Sequence, residues 1–320
     1  MHKLALALTI SLTLAACGGQ GESPKPVAPA APAAPAAKPV DQPATPTPPQ
    51  AAGASLDARL DTVLAGSWRS AENKARDAHR HPKETLAFFG LQPGMTVIEL
   101  TPGGGWYTEI LAPLVKGNGK LVAAVLDPAT AASEKGKAYH TKSLDNFRAK
   151  LAQDGERYAD VEVRPFALTT PSFGAPGSAD MVLTFRNVHN FMMWNNDAAM
   201  FKAAFDVLKP GGVLGVTDHR AAAGADLAKI KDSGYIPEEY VIKLATDAGF
   251  TLEGKSEINA NPKDTKDYPG GVWSLPPTLD QGDKDREKYV AIGESDRMTL
   301  KFVKPAAAGD KVFQASDSAR

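Results

Sequence analysis

One carboxylate and two imidazoles fall just past two apolar runs. His189 sits in "FRNVHNF" (185–191), after the run 180–185, and Asp218 with His219 sits in "TDHR" (217–220), after the run 212–217. An imidazole titrates near neutrality, so a neutral one can take a proton from a bound molecule, and an aspartate can orient it by accepting its other N–H. The same three groups could instead hold a divalent cation, for which one carboxylate and two non-adjacent imidazoles are a weak pattern. They could also be a hydrogen-bond network at strand ends. Arg186, Asn187, Asn190 and Arg220 share these two segments.

A second pattern lies upstream. In "VIELTPGGGWYTEIL" (97–111) a short apolar run containing Glu99 meets Thr101-Pro102 and three glycines, and then becomes amphipathic, with Trp106, Ile110, Leu111 and Leu114 at helical spacing. This reads as strand, tight turn, helix. Gly103, Gly104 and Gly105 let the backbone take positive φ and let a ligand approach the main chain and the helix N-terminus, whose free N–H groups favour polar or anionic atoms. Asp127, about twenty residues past that turn and closing "LVAAVLDP", has the position of an acid that accepts ribose hydroxyls; the alternative is a helix-capping aspartate before Pro128. His79, Arg80 and His81 read as a solvated helix end that could also fold over a ligand. Trp106 and Tyr107 read as packing at a helix start, and Trp194 and Trp273 as core or as pocket walls.

Both patterns need a frame that brings the ends of several strands together. Strands are expected at 96–100, 120–126, 161–166, 180–185 and 212–217, with helices at 106–115, 143–153, 196–208 and 237–248 between or after them. Alternation of this kind means a parallel sheet wrapped by helices, with ligands beyond the carboxyl ends of the strands where strand order switches. "TLEGKSEIN" and "RMTLKFVKP" read as two closing strands, separated by a long polar loop. Three helices, around 56–64, 71–78 and 83–89, precede the sheet.

The chain has 320 residues, 43% of them hydrophobic, and a formal net charge of -1. That accommodates one large domain plus tails, and the absence of any basic block interleaved with aromatics argues against nucleic acid as a partner. The N-terminus has a different character. His2 and Lys3 precede an apolar run, 4–16, that is too short to span a bilayer and is placed like a signal-peptide core. It ends in Leu14-Ala15-Ala16-Cys17, which resembles a bacterial lipobox in which Cys17, the only cysteine, becomes the diacylated N-terminus. The alternative is a plain secretory signal. Gly18 after the cysteine resembles outer-membrane sorting. The Ala/Pro-rich stretch 17–54 cannot bury a core and favours extended polyproline II, a tether reaching roughly 100 Å at ~3.1 Å per residue. The expected organisation is a signal peptide at 1–16, a lipidated tether at 17–54, a folded domain at 55–305 and a loose tail at 306–320.

Glu99, the glycine turn, Asp127, "ADMVLTFRNVHNF" and "LKPGGVLGVTDHR" together resemble the class I S-adenosylmethionine-dependent methyltransferases, over residues 89–305. "ELTPGGGWYTEIL", "GYIPEEYVIKLATDAGF", "INANPKDTKDYPGGVW" and "ESDRMTLKFVKP" are similar to segments of one uncharacterised bacterial family of predicted methyltransferases. The resemblance implies a Rossmann-like α/β fold: a seven-stranded, mostly parallel sheet whose last strand is antiparallel, with helices on both faces and an N-terminal helical extension. It implies S-adenosyl-L-methionine as cofactor, with Glu99, Thr101, Gly103, Gly104, Gly105, Asp127 and Asn187 in its site, and methyl transfer to a small-molecule or lipid acceptor served by His189, Asp218 and His219. Two positions depart from that family: Thr101-Pro102 where the turn begins with glycine, and "RPFALTT" where an acid follows the third strand to hold adenine. An NAD-dependent dehydrogenase shares the first strand–turn–helix unit but wants glycine where Thr108 stands. Because the cofactor is made in the cytoplasm while a lipobox implies export, a lipid-anchored binding or sensory domain on a methyltransferase fold is the other reading.

Overall fold

The computed structural model describes residues 55–306. The expected leader, Cys17, the tether and the tail beyond residue 306 lie outside the described residues.

Four helices come first: α1 (Leu56–Ala65), α2 (Ala71–Ala75), α3 (Asp77–Arg80) and α4 (Pro82–Phe89). The sheet then begins with β1 (Thr96–Leu100), α5 (Thr108–Val115), β2 (Lys120–Leu126), α6 (Glu134–Ala152), α7 (Gly155–Tyr158) and β3 (Val161–Phe166). It continues through β4 (Ala179–Phe185), α8 (Val188–Met193), α9 (Asp197–Val207), β5 (Leu208–His219), α10 (Leu227–Ile230), α11 (Glu238–Asp247), β6 (Thr251–Ser256), α12 (Arg286–Ile292) and β7 (Arg297–Val303). Local chemistry sets several boundaries. Ser55 caps α1 by accepting from the Ala58 N–H, Pro82 occupies the first turn of α4, and Gly90 ends α4 at φ 81°. The helix expected at 143–153 starts nine residues earlier because Ser133 caps it by accepting from the Gly136 N–H; its lysine-rich first half shows little apolar periodicity to betray it.

The strands form one seven-stranded sheet in the order β3-β2-β1-β4-β5-β7-β6. β1 pairs in parallel with both β2 and β4, β4 with β5, and β2 with β3. β7 alone runs against its neighbours, inserted between β5 and β6. This is the Rossmann-like architecture expected from the sequence. Strand order switches at β1, so the carboxyl ends of β1, β2 and β4 border the crevice.

Successive residues of β1 face opposite layers. Ile98 and Leu100 pack with Val182, Val216 and Leu300 under α8, α9 and α11, through Phe191, Phe201, Val241 and Leu244. Val97, with Leu121, Met181 and Leu183, packs under α1, α4 and α5, through Leu60, Leu86, Phe89, Ile110 and Leu114. Helices therefore cover both faces, and the N-terminal helices are part of one of those layers. Among the described residues no helix is long and apolar enough to cross a membrane.

The long segment between β6 and β7 is not a solvated loop. Asn259, Asp264, Ser274, Glu294, Ser295 and Asp296 are buried in it, and α12 lies within it. Asp264 accepts from the Tyr235 hydroxyl at 2.8 Å and from the Asp296 N–H at 2.7 Å. Arg220 is bound to Asp296 and Glu257 at 2.7 to 3.0 Å. It ties the end of β5 to this segment and does not line the crevice.

Candidate functional site

The turn after β1 is built from unusual backbone. Thr101 takes φ 46°, Gly103 φ 57° and Gly105 φ 73°. The Thr101 N–H still extends the ladder to the Ala124 carbonyl at 2.8 Å, so the strain begins where the sheet ends. A Cβ at Gly105 would lie 2.9 Å from Lys150 Cδ and 3.2 Å from Phe147, whereas one at Gly103 or Gly104 would meet nothing within 4 Å. Gly105 is required for packing against α6. Gly103 and Gly104 face open space.

That space is a cavity of about 420 Å³ over the ends of β1, β4 and β5. A second, of about 140 Å³, opens over β2 and α6. Thr101, Pro102, Gly103, Tyr139, Asn187 and Asn190 line both, so the two meet across the glycine turn. The larger has a charged wall and an acid–base pair; the smaller is lined by Leu126, Leu144, Phe147, His140 and Trp194.

Glu99 is buried and lines the larger cavity, with one carboxylate oxygen accepting from the Thr108 hydroxyl at 2.6 Å. Burial pushes it up to about 7, against the pull of Thr108 and Lys150. The folded value lies above the ordinary 4.5, so the unfolded chain releases this proton first and the contribution to stability declines as pH rises from about 4.5 to 7. Glu99→Gln should flatten that part of the stability–pH profile, a change of roughly 3 kcal/mol at pH 7 and above, read by denaturant melts at pH 5 and pH 7.5. An unchanged slope would mean that Glu99 ionises freely in the folded state.

The structure brings His189, Asp218 and His219 together. His189 lies in α8, a short helix directly after β4, and Asp218 and His219 are the last two residues of β5, paired with Met298 and Arg297 of β7, rather than lying beyond it. The His189 Nδ1 is 2.8 Å from Asp218 Oδ1. Asp218 also accepts from the backbone N–H of His189 at 3.2 Å and of His219 at 2.7 Å. A fully buried carboxylate held this way fixes the ring so that Nδ1 donates and Nε2 keeps its lone pair. His219 packs beside it with ring centroids 5.1 Å apart, its Nδ1 hydrogen-bonded to Ser295 Oγ. Burial, with His189, Arg186, Arg297 and Arg80 nearby, holds His219 well below the usual imidazole value, so it stays neutral. One ligand atom from each of the three residues lies within 4.8 Å of the others, but the aspartate that a metal would use is already engaged by three N–H groups.

Asn187 lines both cavities and pins the crevice. Its Nδ2 donates to the carbonyls of Leu100 and Phe185 at 3.2 and 3.1 Å, joining the ends of β1 and β4. Thr101 Oγ1 is buried at the rim without a partner among the described residues. Asp127 departs from the ligand-facing position expected of it. It lines neither cavity, and its Oδ1 caps the turn 128–130 by accepting from the Ala129 N–H at 2.9 Å. Its Oδ2 has no hydrogen bond among the described residues.

Arg80, read from sequence as a solvated helix end, is buried and lines the larger cavity, while His79 and His81 do not. It lies 4.6 Å above the Trp106 ring and pairs with Glu294 at 3.0 Å. Arg76, Arg297, Glu294 and Ser295 complete that wall; none was legible as a site residue, since Arg76 meets Glu294, 218 residues further along the chain, only through the fold. Trp273 lines the larger cavity and Trp194 the smaller.

No protein-family model matches the sequence, and no curated protein does. Among solved structures, the chain is similar to an S-adenosylmethionine-dependent methyltransferase from Aquifex aeolicus, with 16% identity, 78% of this chain and 98% of that one covered, and a TM-score of 0.48. It is also similar to the [4+2]-cyclase SpnF, with 15% identity, coverages of 79% and 93%, and a TM-score of 0.49. A third is an S-adenosylmethionine-dependent methyltransferase from Methanosarcina mazei, with 13% identity, coverages of 69% and 98%, and a TM-score of 0.47.

Proposed function

We propose that this protein is an S-adenosylmethionine-dependent methyltransferase. The observation that carries the reading is the pair of cavities joined across the glycine turn, one aromatic and apolar, the other polar with an oriented imidazole. The shape suits a ligand with a flat heteroaromatic end and a charged amino-acid end. Leu126, Tyr139, His140 and Trp194 would flank the adenine, with apolar and stacking contacts in place of the missing acid after β3. Thr101, Gly103, Gly104 and Asn187 would border the middle of the ligand. Glu99, deep in the larger cavity, would favour a cationic group and ionise on its arrival.

The cofactor supplies an activated methyl group on a sulfonium, and transfer is an in-line displacement, so the protein mainly positions the acceptor and removes its proton. His189 is the base: Asp218 holds its Nδ1–H, and Nε2 accepts the acceptor's proton. Trp273 and the segment 276–278 form part of the cavity wall.

Titrating the protein with S-adenosylmethionine and S-adenosylhomocysteine in a calorimeter tests the reading. Both should bind, and Gly103→Val should abolish the binding heat, because its side chain would fill the space over the turn. The strained φ should lower stability by only about 1–2 kcal/mol, so the variant stays folded. Absence of binding to the parent protein would leave a lipid-anchored binding domain as the better description.

The lipobox-like Leu14-Ala15-Ala16-Cys17 supports an exported protein held on the periplasmic side of the outer membrane by its lipid. Cys17→Ser should keep the precursor unprocessed and out of the detergent phase when it is expressed in a Gram-negative host; a variant that partitions like the parent would remove the anchor.

A further inference from the structure

Charge on the wall of the larger cavity is not balanced. Four arginines, Arg76, Arg80, Arg186 and Arg297, line it with two carboxylates, Glu99 and Glu294. Glu294 accepts from Arg76 Nε at 2.7 Å and from Arg80 Nε at 3.0 Å, and pairs with Arg297 Nη1 at 3.0 Å. One carboxylate has about four acceptor positions, whereas each guanidinium brings five donors. The surplus is visible. Among the described residues Arg76 Nη2 and Arg297 Nε are buried with no acceptor, and Arg186 comes no nearer to Glu294 than 3.9 Å and makes no other side-chain bond. Burial draws Arg80 down to about 9, with repulsion from Arg186 next, and draws Arg186 to about 10 although Glu294 opposes it. Both remain charged at neutral pH, so like charges are held together out of water, a cost that a bound anion would offset.

Neither other candidate supplies that anion. Glu99 is held by Thr108, and burial pushes its carboxyl up to about 7, which disfavours the charged form. Asp218, which also acts on Arg186, is committed to His189 and two backbone N–H groups. S-adenosylmethionine carries a sulfonium, an ammonium and one carboxylate, so its arrival adds net positive charge to the same space.

Resting on the methyltransferase reading, we infer that this arginine wall is an anion site and that the methyl acceptor carries a carboxylate or phosphate group, docked on Arg186 and the free donors of Arg76 and Arg297. The guanidinium fork suits either group through paired hydrogen bonds. Arg186 and His189 lie on one cavity wall three residues apart, so an acceptor anchored there presents its reacting atom to the imidazole.

The test uses the purified protein with and without saturating S-adenosylhomocysteine, at constant ionic strength. It is titrated with inorganic phosphate, with benzoate, and with benzamide as the uncharged isostere of benzoate, by calorimetry and thermal melting. Phosphate or benzoate should bind and raise the melting temperature, and benzamide should not. Saturation with S-adenosylhomocysteine should leave the anion bound. Arg186→Gln should weaken the anion about tenfold, the equivalent of one charge-assisted contact, without changing S-adenosylhomocysteine affinity, and Arg186→Lys should recover part of the loss. Equal binding of benzamide and benzoate, or an unchanged Arg186→Gln, would overturn the anion site. Mutual exclusion of anion and S-adenosylhomocysteine would assign the arginines to the cofactor's own carboxylate and overturn the acceptor inference. Anion binding without S-adenosylhomocysteine binding would sink the methyltransferase reading and keep the anion site.

Discussion

Replacing His189 by alanine is expected to lower turnover by about 10²- to 10⁴-fold, the range a positioned general base supplies, while S-adenosylhomocysteine affinity stays close to that of the parent. The expectation follows from Asp218, which holds the Nδ1–H at 2.8 Å and leaves Nε2 as the only proton acceptor that the ring can offer. His219 cannot take over, since its Nδ1 is engaged by Ser295 and burial disfavours its protonation. Asp218→Asn separates orientation from basicity. It keeps the size of the side chain but can stabilise the wrong tautomer, so turnover should fall steeply again with cofactor binding retained. The readout is S-adenosylhomocysteine released in the presence of a carboxylate- or phosphate-bearing acceptor. A His189→Ala enzyme with full turnover would remove the base, and loss of parent activity on treatment with a chelator would put a metal in its place.

The second large effect concerns stability. Glu294→Gln should destabilise the fold by about 3–5 kcal/mol, because removing the negative partner of a buried ion pair leaves an uncompensated charge; here three arginines lose their shared partner. Burial alone would raise Glu294, yet Arg297, Arg80, Arg76 and Arg186 hold it well below the usual carboxylate range. Its contribution is therefore fully present above the unfolded value of 4.5 and is lost as pH falls below it. Denaturant melts of parent and variant should converge on acidification and stand furthest apart near neutrality. Equal stability at pH 7 would show that the arginines find water or one another at no cost.

β1 and β2 have the boundaries that their apolar runs suggest, β3 keeps its expected boundaries although Glu162 and Arg164 interrupt its apolar residues, and the glycine turn sits where strand becomes helix. These are local patterns: a buried parallel strand is a short apolar run, and a turn needs glycine at positive φ. The convergence of His189 with Asp218 was also legible, since neighbouring strands of such a sheet end side by side. Arg80 was not. Its partner Glu294 lies 214 residues further along the chain, and no periodicity in "DAHRHPK" distinguishes a guanidinium facing a buried carboxylate from one facing water. The segment between β6 and β7 misleads for the same reason, because the small apolar cluster of Tyr268, Leu275 and Tyr289 is accompanied there by buried polar groups paired with one another. Asp127 shows the opposite failure. Its position fits a ligand contact, but the nearest donor, two residues on, belongs to its own backbone.

The placement of β7 has a consequence for how the molecule comes into being. Because that strand enters between β5 and β6, the residues preceding it, which carry Glu294 and Ser295, reach the crevice only after almost the whole chain has left the ribosome. Until then β5 and β6 lack the strand that joins them, Arg76, Arg80 and Arg186 lack the carboxylate among them, and His219 lacks its hydroxyl. Completion of the charged wall and the final closure of the sheet are thus coupled. A chain stopped short of residue 294 would expose two unpaired strand edges and a cluster of uncompensated cations, a form prone to aggregation and open to quality-control proteases.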